Sequence, residues 1–416
     1  MTVHTPSQSS SLDDWLCYIE GVHPSTIEMG LERVKRVAEQ TQILNTSSKI
    51  ILIGGTNGKG TTARCLESIL LAQGYRVGTY ASPHLIHYNE RVRINGKALN
   101  DQDHIDAFYM LDTGRGDTQL TFFEYGTLGA LAIFKRYNVD FILLEVGLGG
   151  RFDATNIVTP YASVITTIDL DHKEYLGDTR ELVGYDKAGI FRPNTVAIVG
   201  DLDIPHTVTD YGQAINADMV LANRDFNHSV TLEGFKWQYQ NYHYEFATPT
   251  IPIQNVSTAL TLLAKLALLP AQEVITSCLA SLTVEGRFQC LSDTPKVYTD
   301  VAHNPESARY LRQKMIQLKS QGFKIHVLIA MLADKDKASV INEVSGVVDI
   351  WSCASLQGPR AEQAENLRAL LPLQATCYSD ISSALDNIVP MQPSDTALII
   401  FGSFVTVAQA IEYWQK

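Results

Sequence analysis

What this chain lacks narrows the choices first. Its 416 residues hold six cysteines, Cys17, Cys65, Cys278, Cys290, Cys353 and Cys377, with no Cys-x-x-Cys pair. That spacing offers neither a disulfide framework nor a zinc site, and reads as reduced thiols of an intracellular protein. No stretch approaches the ~20 apolar residues of a membrane-crossing helix, and the polar start Met1–Ser11 has no apolar core of a secretion signal. Basic residues are in deficit: 33 Lys and Arg against 45 Asp and Glu leave a net charge of −12, which disfavours a nucleic-acid groove. Charge blocks, low-complexity tracts and internal repeats are missing too. The expectation is a cytoplasmic protein with no nucleic-acid or membrane partner, in which anionic substrates must be met by local positive groups.

What is present is globular, with 45% hydrophobic and 19% charged residues, and long enough for two domains. The chain is organised around Ile50-Ile51-Leu52-Ile53-Gly54-Gly55-Thr56-Asn57-Gly58-Lys59-Gly60-Thr61-Thr62. An aliphatic run reads as a buried strand, and from Thr61 the residues Cys65, Leu66, Ile69 and Leu70 mark one face of a helix to about Leu71. Strand, glycine turn, lysine and helix form a phosphate cradle. Backbone N–H groups and the helix N-terminus face an anion, the ammonium reaches the terminal phosphates, and a hydroxyl can meet Mg²⁺. The spacing departs from the standard P-loop: three residues separate Gly54 from Gly58, and Gly60 stands between Lys59 and Thr61.

Alternating strands and helices predict a mainly parallel α/β sheet, with function at the strand C-termini. Helices are expected over Leu12–Glu20, Met29–Thr41 and Phe122–Tyr137, and strands over Arg76–Tyr80, Val139–Val146, Ala162–Thr167 and Thr195–Val199. The aromatics Trp237, Tyr239, Tyr242, Tyr244 and Phe246 predict a small antiparallel meander within 225–253, ahead of a helix from Ser257 to Leu269. A second alternation begins near Lys296, with strands at Val297–Val301, Ile325–Ala330, Ile350–Cys353 and Ala397–Phe401. The boundary is placed in 288–295, giving domains 1–290 and 291–416.

Three polar residues lie at or just past strand ends: Ser82, Glu145 and His172. They are candidate Mg²⁺ ligands, since that ion takes oxygen donors and few protein carboxylates beside phosphate. Glu145 is the sharpest, because a carboxylate closing an apolar strand is costly unless ligated or paired. Alone, His172 reads more readily as a hydrogen-bonded core or loop histidine than as a ligand, and Ser82 as part of a common Ser-Pro turn. Past the boundary, Asp300, His303 and Asn304 lie at the end of the second domain's first strand, and Arg287 stands at the edge of the first domain; a nucleotide contact and a capped helix beside a surface arginine are both open.

Taken together, these stretches resemble the bifunctional dihydrofolate synthase/folylpolyglutamate synthases of the Mur ligase superfamily. The resemblance runs through Gly55–Thr62, Ser82-Pro83-His84, Glu145–Arg151, Asp153-Ala154-Thr155-Asn156, Lys187-Ala188-Gly189-Ile190, Gly286-Arg287-Phe288 and Asp300–Pro305. It implies an ATP-binding first domain, a smaller Rossmann-like second domain, and an active site between them. It implies ATP against Gly58, Lys59, Gly60, Thr61, Asn255, Arg287 and Asp300, and Mg²⁺ on Ser82, Glu145 and His172. It implies the pterin against Glu28, Met29, Gly30 and Leu31, against Thr121, Phe122, Phe123 and Glu124, and against Phe152, Asp153 and Ala154. Lys187 matches a carbamylated lysine, with a second Mg²⁺ and a monovalent cation such as K⁺ also implied, and a monomer is the family expectation. Val256 after Asn255, and Phe152 after Arg151, depart from the commoner residues.

The implied activity is ATP-dependent amide formation, with Lys59, Lys187 and His172 as the catalytic residues. Substrates are dihydropteroate, tetrahydrofolate species and L-glutamate. A GTPase-like switch would need an Asn-Lys-x-Asp element, and none occurs in the chain. A polyglutamylase without the dihydropteroate activity, or a ligase for peptidoglycan precursors, would share the phosphate apparatus and differ in acceptor.

Overall fold

The computed structural model describes residues 5–25 and 27–415; the first four residues of Met1–Ser11, and Thr26, lie outside them. Two compact units are formed, 1–283 and 284–416. In the first, eight strands make one sheet: β1 (Lys49–Gly54), β2 (Val77–Tyr80), β3 (Val92–Ile94), β4 (Lys97–Ala98), β5 (Phe141–Glu145), β6 (Ala162–Ile165), β7 (Val196–Val199) and β8 (Asp218–Leu221). Their order is β4-β3-β2-β5-β1-β6-β7-β8. Pairing is parallel except where β3 meets β2 and β4. The central strands are aliphatic and buried along nearly their whole length, as strands covered on both faces must be. Ile53 pairs with Glu145, so the phosphate loop and Glu145 leave the sheet side by side.

Helix Lys59–Ala72 packs against helix Ile253–Lys265, and helix Phe122–Tyr137 packs against Asp101–Gly114 and Leu12–Val22. The meander is β9 (Phe226–Val230), β10 (Gly234–Tyr239) and β11 (Tyr242–Ala247), antiparallel as its alternation foretold.

Two helices differ from expectation for local reasons. The one expected from Met29 begins at Glu32, because Gly30 takes φ +148° and leaves Glu28–Leu31 as a loop. The one expected from Ser257 begins at Ile253, directly after Pro252, whose fixed φ suits a helix start.

The second unit has a six-stranded sheet, β12 (Gln289–Asp293), β13 (Lys296–Asp300), β14 (Lys324–Ile329), β15 (Ile350–Ala354), β16 (Ala375–Tyr378) and β17 (Thr396–Phe401), ordered β12-β13-β17-β14-β15-β16. Only β12 runs antiparallel to its neighbour. The segment expected to connect the domains is therefore edge strand β12. The division falls between Thr283 and Val284 rather than at 290/291, and Arg287 belongs to the second unit. Among the described residues no helix is long and apolar enough to cross a membrane.

Candidate active site

The loop from Gly54 to Gly58 is shaped by contacts only glycine permits. Gly55 and Gly58 have φ of +144° and +81°. A Cβ on Gly55 would lie 1.9 Å from Thr166 Oγ1, and one on Gly58 would lie 2.6 Å from the Asn255 side chain. The loop is pinned to the residues after β6: Thr56 N donates to Thr167 O at 2.8 Å, and Thr166 Oγ1 donates to Asn57 O at 2.6 Å. Thr56 Oγ1 donates to Asp169 O and accepts from Asp169 N, both at 3.0 Å. Lys59 Nζ donates to Gly55 O at 3.0 Å and to Thr56 O at 3.2 Å, which holds the ammonium across the loop. Asn255, from the neighbouring helix, is buried against Gly58. An ammonium, a helix N-terminus and a glycine turn thus converge where an anion is stabilised.

Glu145 closes β5 and is 5% exposed. Its Oε2 accepts from Ser82 N at 3.4 Å, and it lies 3.3 Å from where a Cβ on Gly60 would sit. Ser82, Glu145 and the start of the loop helix are therefore neighbours, and glycine at 60 leaves the carboxylate room. A carboxylate and a hydroxyl beside a phosphate loop are hard oxygen donors, and fit Mg²⁺. His172 lies at φ +50° before the short helix Lys173–Leu176, its side chain 40% exposed and Nε2 3.9 Å from Asp171 Oδ2. Among the described residues no three His, Cys, Asp or Glu side chains converge as a metal cage. A metal beside Glu145 would complete its shell with hydroxyl, phosphate or water oxygens.

Lys187 is buried in the last turn of helix Arg180–Ala188. The glycine run after Glu145 lets that turn approach: a Cβ on Gly150 would come 2.9 Å from Lys187 Cα, and one on Gly149 2.3 Å from Asp186 Oδ1. Burial raises the Asp186 carboxyl above the ordinary range. In the nearby Ser82-Pro83-His84 turn, His84 Nδ1 accepts from Arg91 Nε at 2.8 Å, and burial, with the Arg91 charge, lowers its pKa to about 4.

The three segments assigned to the pterin come together. Gly30 N donates to Phe152 O at 3.3 Å. Arg33 forks onto Glu124, Nε to Oε2 at 3.0 Å and Nη2 to Oε1 at 2.8 Å, and also holds Glu28 through its carboxylate and its carbonyl. Thr121 and Glu124 form a reciprocal cap on helix Phe122–Tyr137. Phe122 meets Tyr88 edge-on at 5.9 Å under the Arg91 guanidinium, and Phe123 packs on Tyr80 and against Gly147. Phe152 is 49% exposed, Ala154 is buried, and Asp153 accepts from Leu148 N and Thr155 N, both at 2.9 Å. Burial raises the Asp153 carboxyl. The polar residues expected to bind the pterin edge, Glu124 and Asp153, thus first hold the protein's own shape.

In the second unit Asp300 ends β13, accepting from Phe288 N and Ala302 N at 2.8 Å each. Burial raises its carboxyl, against the pull of Arg287 and Lys314. Asn304 caps helix Pro305–Ser320, accepting from Ser307 N, so the capping alternative holds for that residue.

Sequence reasoning missed Arg33 and Glu67. Glu67 is fully buried on the loop helix, accepting from Thr79 Oγ1 at 2.8 Å and paired with Arg64 and Arg93. The available signal was an acid beside the apolar face Cys65-Leu66-Ile69-Leu70. Arg33 left only the nearby Glu28, five residues before it, since its buried partner Glu124 is 91 residues away.

The Mur ligase middle domain matches residues 53–266, and the Mur ligase, glutamate ligase domain matches residues 286–404. Over 411 residues the chain is 42% identical to the Escherichia coli K12 protein called dihydrofolate synthase/folylpolyglutamate synthase, covering 98% of this chain and 96% of that one. Among solved structures it is similar to E. coli FolC in complex with DHPP and ADP, with TM-score 0.95, 42% identity and 98% of each chain covered. A bifunctional folylpolyglutamate synthase/dihydrofolate synthase with Mn, AMPPNP and L-glutamate bound matches with TM-score 0.93 and 41% identity, over 99% of this chain and 100% of that one.

Proposed function

We propose that this chain, which belongs to the Mur ligase family and within it to the dihydrofolate synthase/folylpolyglutamate synthases, joins L-glutamate to 7,8-dihydropteroate and adds further glutamates to tetrahydrofolate species, using ATP. The observation that carries the reading is the phosphate loop, whose Gly58 and Gly60 lie against Asn255 and Glu145. Relatives of this family contain ADP with DHPP, or AMPPNP with Mn and L-glutamate.

A carboxylate is a poor acyl donor because oxide is a poor leaving group. The acceptor carboxylate therefore attacks the γ-phosphorus of ATP, ADP leaves, and an acyl phosphate forms. The amine of glutamate then attacks the acyl carbon, and phosphate departs as the amide forms. Lys59 and the loop amides offset charge on the transferred phosphoryl group, and Asn255 braces the turn at Gly58. Glu145 and Ser82, with His172 by resemblance, would hold Mg²⁺, which supplies further neutralisation of phosphate charge when bound.

Residues 28–31, 121–124 and 152–154 form the acceptor wall in this reading, with Phe152 as its open aromatic face. Carbamylation of Lys187, a second Mg²⁺ and a monovalent cation such as K⁺ rest on the resemblance. So do nucleotide roles for Arg287 and Asp300, and action as a cytoplasmic monomer.

The test is purified protein with ATP, Mg²⁺ and glutamate, offered dihydropteroate or tetrahydrofolate in parallel, reading phosphate release and product mass. Acceptor-dependent product with both supports the reading. Product from tetrahydrofolate alone makes this a polyglutamylase, and phosphate release without amide product overturns it.

A further inference from the structure

We infer that Arg33 is a positioning residue for the acceptor, the tie that sets the spacing of the wall's three segments. The inference deepens the acceptor-wall reading and rests on it.

Arg33 lies in the first turn of helix Glu32–Gln40, its side chain 18% exposed. Its fork grips Glu124, whose side chain is 4% exposed. Glu124 accepts from Thr121 N at 2.8 Å as well, so Arg33 is locked to the cap that begins the second segment. The remaining guanidinium positions take Glu28, through one carboxylate oxygen and the main-chain carbonyl. His23 Nε2 holds the other Glu28 oxygen at 3.1 Å. The loop Glu28–Leu31 has no helix or strand of its own. It is fixed by Arg33 and His23 at its start, by Gly30 N to Phe152 O at 3.3 Å, and by Lys35 N to Leu31 O at 2.9 Å. One guanidinium therefore links the first segment to the second, and the glycine amide carries the register on to the third.

Lysine could neutralise Glu124 but could not fork to both partners, since it is a point charge on a flexible stem. Removing the side chain leaves Glu124 buried without its cation, so stability falls and Arg33→Ala alone is ambiguous. Arg33→Lys keeps the charge and is the folding-safe variant.

Three measurements on the full chain test the inference: KM for dihydropteroate, KM for ATP, and amide hydrogen exchange of residues 27–31. For Arg33→Lys, acceptor KM should rise by ~10-fold, and for Arg33→Ala by ~100-fold, the cost of misplacing a binding group by about 1 Å. ATP KM should stay within about twofold, and residues 27–31 should exchange faster in both variants. A purely structural residue would move Tm and leave the acceptor and ATP KM values in their original ratio. Phe152→Ala separates the two failures. If it raises acceptor KM while Arg33→Lys leaves both acceptor KM and exchange unchanged, the wall stands and the Arg33 inference is overturned. If neither variant alters acceptor KM, the wall reading itself fails.

Discussion

At the phosphate loop, spacing is set by main chain: glycines at 55 and 58 admit Thr166 and Asn255 to distances that any Cβ would forbid, and glycine at 60 leaves Glu145 a closer fit than a Cβ would. At the proposed acceptor wall, spacing is set by side chains. Arg33 joins two acids, and Asp153 gathers the amides of Leu148 and Thr155. The first arrangement is rigid and nearly indifferent to small repacking, because a backbone turn over a sheet has few alternatives. The second is a chain of charge-assisted bonds, in which Glu124 and Glu28 share one guanidinium. A ligase with one phosphate apparatus and two acceptors is served by that division. On the proposed reading, the part that never changes is made of backbone, and the part that would admit different acceptors is made of replaceable groups.

The largest way to break this comparison is Lys59→Ala. It removes the ammonium held by Gly55 O and Thr56 O without touching the wall. Turnover should fall by ~10²–10³-fold or more while Tm and acceptor affinity stay near wild type. Near wild-type kcat in a folded variant would falsify the phosphate-cradle reading.

Gly58→Ala sharpens the same end. At φ +81° and 2.6 Å from Asn255, the new methyl must strain the turn and displace the amide together. A loss of kcat on the order of 10–100-fold is expected, with Gly60→Ala milder because its contact is 3.3 Å. The reverse ranking of the two would show that Asn255 is not the sensitive neighbour.

Glu124→Gln probes the other end. Gln keeps an acceptor for Thr121 N but withdraws the charge that Arg33 forks onto. Because Arg33 retains Glu28, the cost should be about 2 kcal/mol rather than the full penalty of a broken buried pair. Urea denaturation measures it. Stability equal to wild type would mean that the fork contributes nothing net.

How much of this was legible follows from the same contrast. The loop announces itself because its chemistry is local: an aliphatic strand, four glycines in seven residues from Gly54 to Gly60, and a lysine. Glu145 was legible because it interrupts an apolar run. The meander was legible from its aromatic alternation. Strand β12 was not, because half-exposed 289–293 shows no apolar alternation and acquires its pairing only from β13. Arg33 was not, because its meaning lies in Glu124, 91 residues on. Asp153 entered through the resemblance alone, and its acceptance from Leu148 N and Thr155 N was not legible, since it is a property of the folded loop.

The smallest expected effect concerns His84, which lies between the two regions. Its ring accepts from Arg91, the residue whose guanidinium also covers Phe122. Burial, then the Arg91 charge, lowers its pKa from 6.5 to about 4 in the folded protein. Between those values the unfolded chain binds a proton that the folded chain refuses, so stability from this group is complete above pH 6.5 and declines as pH falls toward 4. His84→Asn removes the titration, and the wild-type minus variant stability should slope upward with pH across that window and be flat above it. The ring is partly exposed, so screening limits the span to on the order of 1 kcal/mol. Denaturation midpoints at pH 4.5, 5.5, 6.5 and 7.5 give the difference directly. A difference that does not change with pH would mean that His84 protonates as easily in the folded protein as in the unfolded one, and that neither burial nor the Arg91 charge opposes its protonation.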